Sequence, residues 1–351
     1  MKKSLLALAV LGAFAGVASA QSSVTLFGVV DVNLRYVDNG GGTQYQMNQD
    51  GINSSRLGFR GTEDLGGGMA ASFWLEGALN PQNGTNTGQT WQRRSTVSLA
   101  GKFGEVRLGR DYTSTFWNAT IFDPFGTNGI GASSNIYLVV PDLPSGGAYG
   151  TLVRDNNMVG YFLPSGIAGG LYGQLQVAAG QNTDGQKYFG GRLGYAAGPF
   201  NVAAAYGKTQ VLVNKDQDGT QWNIGGSWDF KFMQLMGYFG NIEINKANQD
   251  NWYIGVTAPF GLWTAKATYG QMTRDGSVNN VAITNDFGAV QFALGGQYDL
   301  SKRTALYGTY SKINNKGGAA FIVGGLTNIA AGGAKANADS TGFEFGVRHS
   351  F

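Results

Sequence analysis

The chain has 351 residues and a formal net charge of +3, from 25 lysines and arginines against 22 aspartates and glutamates. It contains no cysteine, which excludes disulfides and thiol chemistry, and the near-neutral balance does not favour nucleic acid as a partner. Only 13% of the residues are charged, about half the usual share, whereas 57 are glycine. Because a soluble protein of this size normally carries more charge, the composition needs a structural explanation.

The first 20 residues have the pattern of a secretory signal peptide. Two lysines precede the apolar run 5–17, and residues 18–20 form a small-residue cleavage motif. An uncleaved transmembrane helix is the alternative, but the run is shorter than the roughly 17 to 25 residues that a membrane span needs. We therefore predict cleavage after Ala20, which leaves an exported chain of residues 21–351 with 23 basic and 22 acidic groups.

The exported chain opens with strict alternation over residues 24–36, with apolar residues on one face and mostly polar residues on the other. This stretch is longer than the typical strand of about 5 to 6 residues and suits a tilted membrane strand. Similar stretches lie near 24–36, 54–62, 69–77, 92–101, 105–110, 154–163, 171–180, 187–196, 200–208, 221–230, 233–244, 251–260, 263–272, 288–299, 303–313 and 340–351.

The connectors between these stretches alternate between short turns and long polar segments, the long ones near 37–53, 78–91, 209–220, 273–287 and 314–339. An even number of strands with turns of two lengths is typical of bacterial outer-membrane barrels. A large secreted sandwich or propeller is the rival architecture, but its outer face would usually carry lysine and glutamate. We predict an all-β fold, a 16-stranded antiparallel transmembrane β-barrel.

The longest interruption lies between Arg110 and Arg154. Its 43 residues contain three acids, Asp111, Asp123 and Asp142, and no lysine or arginine. Loops of this length are usually functional or disordered. A loop inside a wide barrel can narrow the bore, so we predict a constriction loop over about 111–153.

Alternation also predicts which charged side chains face the lumen. Arg56, Arg94 and Arg154 face inward, as does Glu76, whereas Arg93 lies near a strand end. The same parity places inward Arg60, Arg107, Arg192 and Lys266. Several arginines on one arc of wall, facing a loop that carries only acids, would sort solutes by charge and size. Alternatively these arginines pair with neighbouring acids and hold the loop in place, and the two roles are compatible.

Arg110 has outward parity at the end of an apolar strand. An arginine is costly against lipid, so we expect it to contact another subunit. For catalysis the sequence offers little: the only histidine is His349, and no nucleophile–base or metal-binding spacing can be built around it. A carboxylate pair acting as acid and base is the enzymatic alternative, but we expect no reaction, no cofactor and no metal.

At this point the chain resembles the trimeric 16-stranded general diffusion porins of Gram-negative bacteria, most closely those of beta-proteobacteria. The resemblance covers the whole exported chain. The runs that carry it are SSVTLFG at 22–28, SRLGFRGTEDLG at 55–66, RRSTVSL at 93–99, FGEVRLGRD at 103–111, LSKRT at 300–304 and VRHSF at 347–351.

In that family the third external loop folds into the barrel, so the resemblance implies that Asp123 lies opposite the three inward arginines. Many cation-preferring members carry a second acid where this chain has Phe125, and that departure favours anions. The terminal Phe351 resembles the sorting signal read by the outer-membrane assembly machinery. His349 departs from the aromatic residue often found at that position.

We therefore expect a passive, water-filled outer-membrane channel for small hydrophilic solutes and ions that prefers anions. The expected partners are two further copies of the chain in a homotrimer, outer-membrane lipid and lipopolysaccharide. One alternative is a substrate-specific channel for organic acids or sugars, for which Phe116, Trp117 and Phe122 offer aromatic surface. The other is an adhesin or enzyme on the same barrel. Both alternatives predict little or no unselective conductance.

Overall fold

The computed structural model describes residues 23–85, 90–137, 152–181, 187–210, 218–244, 246–278, 281–283, 286–324 and 334–351. The predicted signal peptide at residues 1–20 lies outside the described residues, as does Asp142 of the predicted constriction loop.

Strands make up most of the described chain. They are β1 (Ser23–Asp38), β2 (Thr43–Gln49), β3 (Arg56–Gly66), β4 (Met69–Ala78), β5 (Arg94–Gly101), β6 (Gly104–Tyr112), β7 (Arg154–Phe162), β8 (Leu171–Ala178), β9 (Lys187–Ala197), β10 (Phe200–Gln210), β11 (Gly219–Asp229), β12 (Gln234–Ile244), β13 (Lys246–Phe260), β14 (Trp263–Val278), β15 (Val281–Ala282), β16 (Gly288–Asp299), β17 (Thr304–Lys316) and β18 (Ser340–Ser350). The helical elements are α1 (Ser114–Ile121), α2 (Ser134–Tyr137) and a 3₁₀ turn (Ile167–Gly169).

These strands form one antiparallel barrel whose wall, within the described residues, has sixteen strands. β2 and β3 together count as one wall strand, because β2 pairs with the second half of β1 and β3 with the first half. β15 only extends the hairpin that begins with β14. The predicted 16-stranded antiparallel barrel is confirmed. The predicted long connector at 37–53 is wrong in one respect, since it contains β2.

The first and last strands close the barrel. β1 pairs with β18 over ten residues, and Gly28 and Phe351 exchange two backbone hydrogen bonds of 3.1 Å. The start of β1 and the end of β18 therefore lie on the rim that carries the short turns, such as those joining β3 to β4 and β5 to β6. In bacterial outer-membrane barrels this rim is the periplasmic one.

The two faces of the wall differ in polarity. Leu26 and Leu34 on the outer face of β1 are exposed, whereas Asp31, Asn33 and Arg35 on its inner face are buried. This inverts the pattern of a soluble protein and explains the low charge content, because the outer face meets lipid.

None of the described helices is both long and apolar enough to cross a membrane.

The segment after β6 lies against the inner wall. Ser114 donates a hydrogen bond to Gln176 of β8 (2.6 Å), and Asn118 donates one to Asn223 of β11 (2.8 Å). Farther along, Gln291 of β16 donates to the carbonyl oxygen of Ile130 (3.2 Å). A helix as short as α1 is marginal on its own, so these wall contacts stabilise it.

Three wall glycines receive the next part of this segment. A Cβ on Gly225, Gly255 or Gly295 would lie 2.2 to 2.8 Å from a ring atom of the segment. The rings, in the same order, are Phe122, Pro124 and Phe125. Only glycine leaves room for these rings, so the wall sequence helps to fix the path of the segment.

The connector between β17 and β18 also turns inward. Phe321 and Val323 are buried in one apolar cluster with Ile130 and Ile136 of the segment after β6. Ile313 of β17 belongs to the same cluster. Two inward segments therefore pack on each other as well as on the wall.

Candidate functional site

Glu76 on β4 organises the upper part of an arginine cluster on the inner wall, which we call the arginine arc (Arg56, Arg93, Arg94, Arg107 and Arg154). The Glu76 carboxylate accepts a hydrogen bond from Nε of Arg93 at 2.7 Å and lies 3.8 Å from Nε of Arg56. Its other oxygen accepts a hydrogen bond from the Trp74 indole at 3.1 Å. Strand register brings these groups together. Glu76 pairs with Gly58, two residues from Arg56, on one side and with Arg94, the neighbour of Arg93, on the other.

Asp111 holds the lower part of the arginine arc. Its Oδ2 atom lies 2.5 Å from Nη1 of Arg107 and 3.7 Å from Nε of Arg94. Glu105 binds Arg107 from the other side at 2.8 Å. Asp111 is only 1% exposed, so its charge is committed to these arginines and does not face open water.

Tyr112 joins the remaining arginine, Arg154, to Arg93, and sequence reasoning missed it. Its hydroxyl accepts hydrogen bonds from Nη2 of Arg154 (2.9 Å) and Nη2 of Arg93 (3.3 Å). The Arg154 guanidinium also lies 4.4 Å above the Tyr112 ring, which favours a cation–π interaction. Parity could not identify Tyr112, because the pairing between β6 and β7 shifts register between Gly109 and Asp111.

Asp123 does not face the arginines. It is 4% exposed, and its carboxylate accepts hydrogen bonds from the backbone N–H groups of Phe125 (2.9 Å), Thr127 (3.2 Å) and Ser133 (3.1 Å). The Ser133 hydroxyl donates a fourth at 2.8 Å. Burial raises the pKa of this carboxyl, while the four donors oppose that shift by favouring its charged form. The structure thus turns Asp123 into the loop, whereas the resemblance implied a position opposite the arginine arc.

The arginine arc carries more positive than negative charge. Within ion-pair distance its five arginines meet three carboxylates, those of Glu76, Glu105 and Asp111. The Asp50 carboxylate acts on Arg56 and Arg93 from farther away, so the count leaves at least one positive charge in excess. Four of these arginines make an ion pair and the fifth, Arg154, binds Tyr112, so the arc fixes the end of β6 from which the loop departs. That the arc also presents charge to permeating solutes stays a prediction.

Aromatic residues of the loop are mostly unavailable to solutes. Phe116 is buried, Phe122 is fully buried, and Trp117 packs edge-on against Tyr112 at 5.1 Å. An exposed aromatic track, which a sugar channel would need, is therefore not formed by these residues. Within the described ranges, no group of three His, Asp or Glu side chains is arranged to hold a metal ion.

Two predicted sites lie on the outer face. Arg110 faces outward and donates hydrogen bonds to the Gln92 carbonyl oxygen and the Asn156 side-chain oxygen, both at 2.6 Å. Phe351 is exposed, and its ring occupies the space above Gly28, where a Cβ would lie 2.3 Å from it.

A closed barrel with an apolar outer face and a charged site on its inner wall defines a channel of the porin class. The chain belongs to the Gram-negative porin family, whose model matches residues 7–318. It is 36% identical to outer membrane porin protein 32 of Delftia acidovorans and 31% identical to an outer membrane porin protein of Bordetella pertussis, in both cases over the full length of both chains. The chain is thus an outer-membrane porin.

Solved structures agree with this assignment. The anion-selective porin from Comamonas acidovorans matches with a TM-score of 0.82 and 33% identity, over 94% of this chain and 100% of that one. OmpT of Vibrio cholerae matches with a TM-score of 0.68 over 95% of this chain and 99% of its own. At 14% identity, that second likeness shows the fold alone.

Proposed function

We propose that this porin prefers small anions, and that the arginine arc opposite the segment 111–153 is its constriction. The observation that carries the proposal is the charge balance. The arc has more arginines than carboxylates, and the two described acids of the segment 111–153, Asp111 and Asp123, are both buried. A permeating ion therefore meets positive charge on the wall and little exposed negative charge on the described part of this segment.

The electrostatic effect of the arginine arc on a permeating ion can be estimated from Coulomb's law. One unit charge acts on a monovalent ion at 4 Å with about 1 kcal/mol in bulk water. That energy enriches an anion about fivefold over its bulk concentration and depletes a cation to a similar extent. One excess positive charge is therefore enough for a clear preference, which weakens as salt screens it.

Two further points support an anion preference. Phe125 stands where the resemblance places a second acid in many cation-preferring porins, and here its ring packs on Gly295. The Comamonas acidovorans porin, which is 33% identical, is described as anion-selective.

The test is the reversal potential of single channels in a planar bilayer under a KCl gradient. We expect chloride preference in the unaltered protein and its loss in the triple variant Arg56→Gln, Arg94→Gln and Arg154→Gln. The control is Lys231→Gln, which removes a positive charge from an exposed turn between β11 and β12. Cation preference in the unaltered protein would refute the proposal and leave the porin assignment intact.

We also propose that the protein assembles as a homotrimer. Arg110 supports this, because an outward-facing arginine near the end of a barrel strand costs up to about 1 kcal/mol against lipid and a neighbouring subunit would remove that cost. We further propose, from the sequence pattern, that residues 1–20 act as a cleaved signal peptide. Phe351 is then read by the outer-membrane assembly machinery. The proposed channel carries out no reaction, and lipopolysaccharide surrounds its outer rim.

A further inference from the structure

Arg60 is an inward arginine that lies outside the arginine arc. It sits four residues after Arg56 on β3, toward the rim of short turns, so it lies about 13 Å farther along the strand. Its side chain is exposed within the lumen. An anion that moves along β3 from Arg56 toward the periplasmic rim meets this residue next.

Arg60 has no carboxylate to neutralise it. Among the described residues no ion pair involves Arg60, and those formed by residues of β3 to β6 all belong to the arginine arc. The next inward acid on β3 is Asp64, four residues nearer the rim, where it binds the backbone N–H of Gly66 at 2.8 Å. The charge of Arg60 is thus uncompensated.

Two aromatic rings hold the guanidinium of Arg60 in place. Its Cζ atom lies 5.2 Å from the centre of the Phe27 ring and 5.3 Å from the centre of the Trp74 ring. The two rings pack edge-on at 4.9 Å. Gly58 makes the arrangement possible, since a Cβ there would lie 2.3 Å from the Phe27 ring. Stacking fixes a guanidinium while leaving its N–H donors free for an anion.

Trp74 also links Arg60 to the arginine arc. The Cζ atom of Arg94 lies 4.6 Å from the centre of the same Trp74 ring. Because Arg60 reaches that ring from β3 and Arg94 reaches it from β5, the two Cζ atoms are separated by at most about 9.9 Å. That distance is comparable to the Debye length of about 8–10 Å at ordinary salt, so an ion at one arginine still senses the other.

We propose that Arg60 is a second anion subsite on the periplasmic side of the constriction, that it binds small oxyanions such as carboxylates and phosphates, and that Trp74 is its positioning residue. The subsite receives an anion from Arg94 on entry and releases it toward the periplasmic rim. The inference rests on the proposed anion preference but does not follow from it, because a selective arc needs no second site.

The test uses inorganic phosphate as the probe and block of the single-channel chloride current as the readout. Since the chain has no cysteine, Ser301→Cys on a short turn, labelled by a polymer maleimide too large for the pore, assigns the orientation in the bilayer. In the unaltered protein we expect phosphate to interrupt the current when added on the short-turn side. Arg60→Gln should weaken that block about fivefold, the effect of one uncompensated charge, and change block from the opposite side little.

Two further variants separate binding from packing. Arg60→Lys keeps the positive charge but lacks the planar guanidinium that packs on the two rings. It should therefore retain chloride preference, and phosphate should block it more strongly than Arg60→Gln but less strongly than the unaltered protein. Trp74→Leu keeps both arginines but removes their shared ring, and should weaken block from the short-turn side. Lys231→Gln is again the control, since it removes a charge from the same rim outside the lumen.

The inference is overturned if phosphate blocks Arg60→Gln as it blocks the unaltered protein, or if the substitution weakens block equally from both sides. If either result is found while the triple arginine variant loses chloride preference, the proposed anion preference is supported and the Arg60 subsite is rejected. Cation preference in the unaltered protein would instead remove both.

Discussion

Gly225→Ala tests whether the loop is seated on the wall by glycine. A Cβ at Gly225 would lie 2.2 Å from Cδ2 of Phe122, and the three nearest atoms all belong to that ring. Carbon atoms pack at about 3.5 Å or more, so the ring has to retreat by about 1.3 Å. Phe122 is 0% exposed, so its ring cannot retreat from the wall without displacing the residues packed around it in the loop.

The energy follows from two opposed effects. Overpacking of a filled site costs about 1–3 kcal/mol, whereas alanine in place of glycine in a strand gains about 0.5–1 kcal/mol from lower chain entropy. Gly237→Ala on the outer face of β12 is the matched control, because nothing lies within 4 Å of a Cβ there. We expect Gly225→Ala to lower the thermal midpoint and Gly237→Ala to leave it unchanged or raise it.

The functional assay is single-channel conductance, measured beside thermal unfolding by circular dichroism in detergent. Gly225→Ala should give smaller and more variable conductance steps than Gly237→Ala, because the displaced loop narrows the bore. Equal conductance and equal midpoints in the two variants would refute the seating of Phe122 on Gly225. A lower midpoint with unchanged conductance would show that the seat stabilises the loop without setting the bore.

Four further substitutions test individual contacts. Glu76→Gln should increase chloride preference, since the arginine arc then keeps only two carboxylates; a shift of the reversal potential toward cation preference would contradict the charge argument. Tyr112→Phe removes an acceptor worth about 1.5–3 kcal/mol to charged donors and should increase current noise, with Tyr161→Phe on the outer face as control. Arg110→Ala should lower the temperature at which the oligomer dissociates in semi-native electrophoresis, and an unchanged oligomer would remove its proposed role. Phe351→Ala should reduce the folded protein in outer-membrane fractions severalfold, and full recovery there would show that the terminal ring is not read.

Alternation predicted the wall because lipid and water impose opposite demands on successive residues of a strand. Leu34 and Arg35, which are adjacent in β1, lie on the outer and inner faces as alternation predicts. The same rule predicted that Arg56, Arg94 and Arg154 face inward. The rule fails where pairing is irregular. β2 was missed because it has only seven residues, and among them only Tyr45 and Met47 are large apolar residues that mark an outer face.

The loop could not be predicted in detail because its contacts join distant parts of the chain. Asp123 binds three backbone N–H groups whose positions depend on the turn that follows it, and a sequence shows only that an acid is present. Gly225 looks in sequence like any other strand glycine. Its role is visible only in the folded chain, where the ring of Phe122, about a hundred residues earlier, fills the space that a side chain at position 225 would need.

The hydrogen bonds between Gly28 and Phe351 have a consequence for how the molecule is made. The pairing of β1 with β18, which we call the seam, closes the barrel. Here the seam joins residues more than three hundred positions apart, as in the buried ion pair of Arg35 and Glu344 at 2.7 Å. Contacts of such long range form slowly. Until β1 and β18 meet, the open barrel has two unpaired strand edges, and such edges must be protected from pairing with other chains.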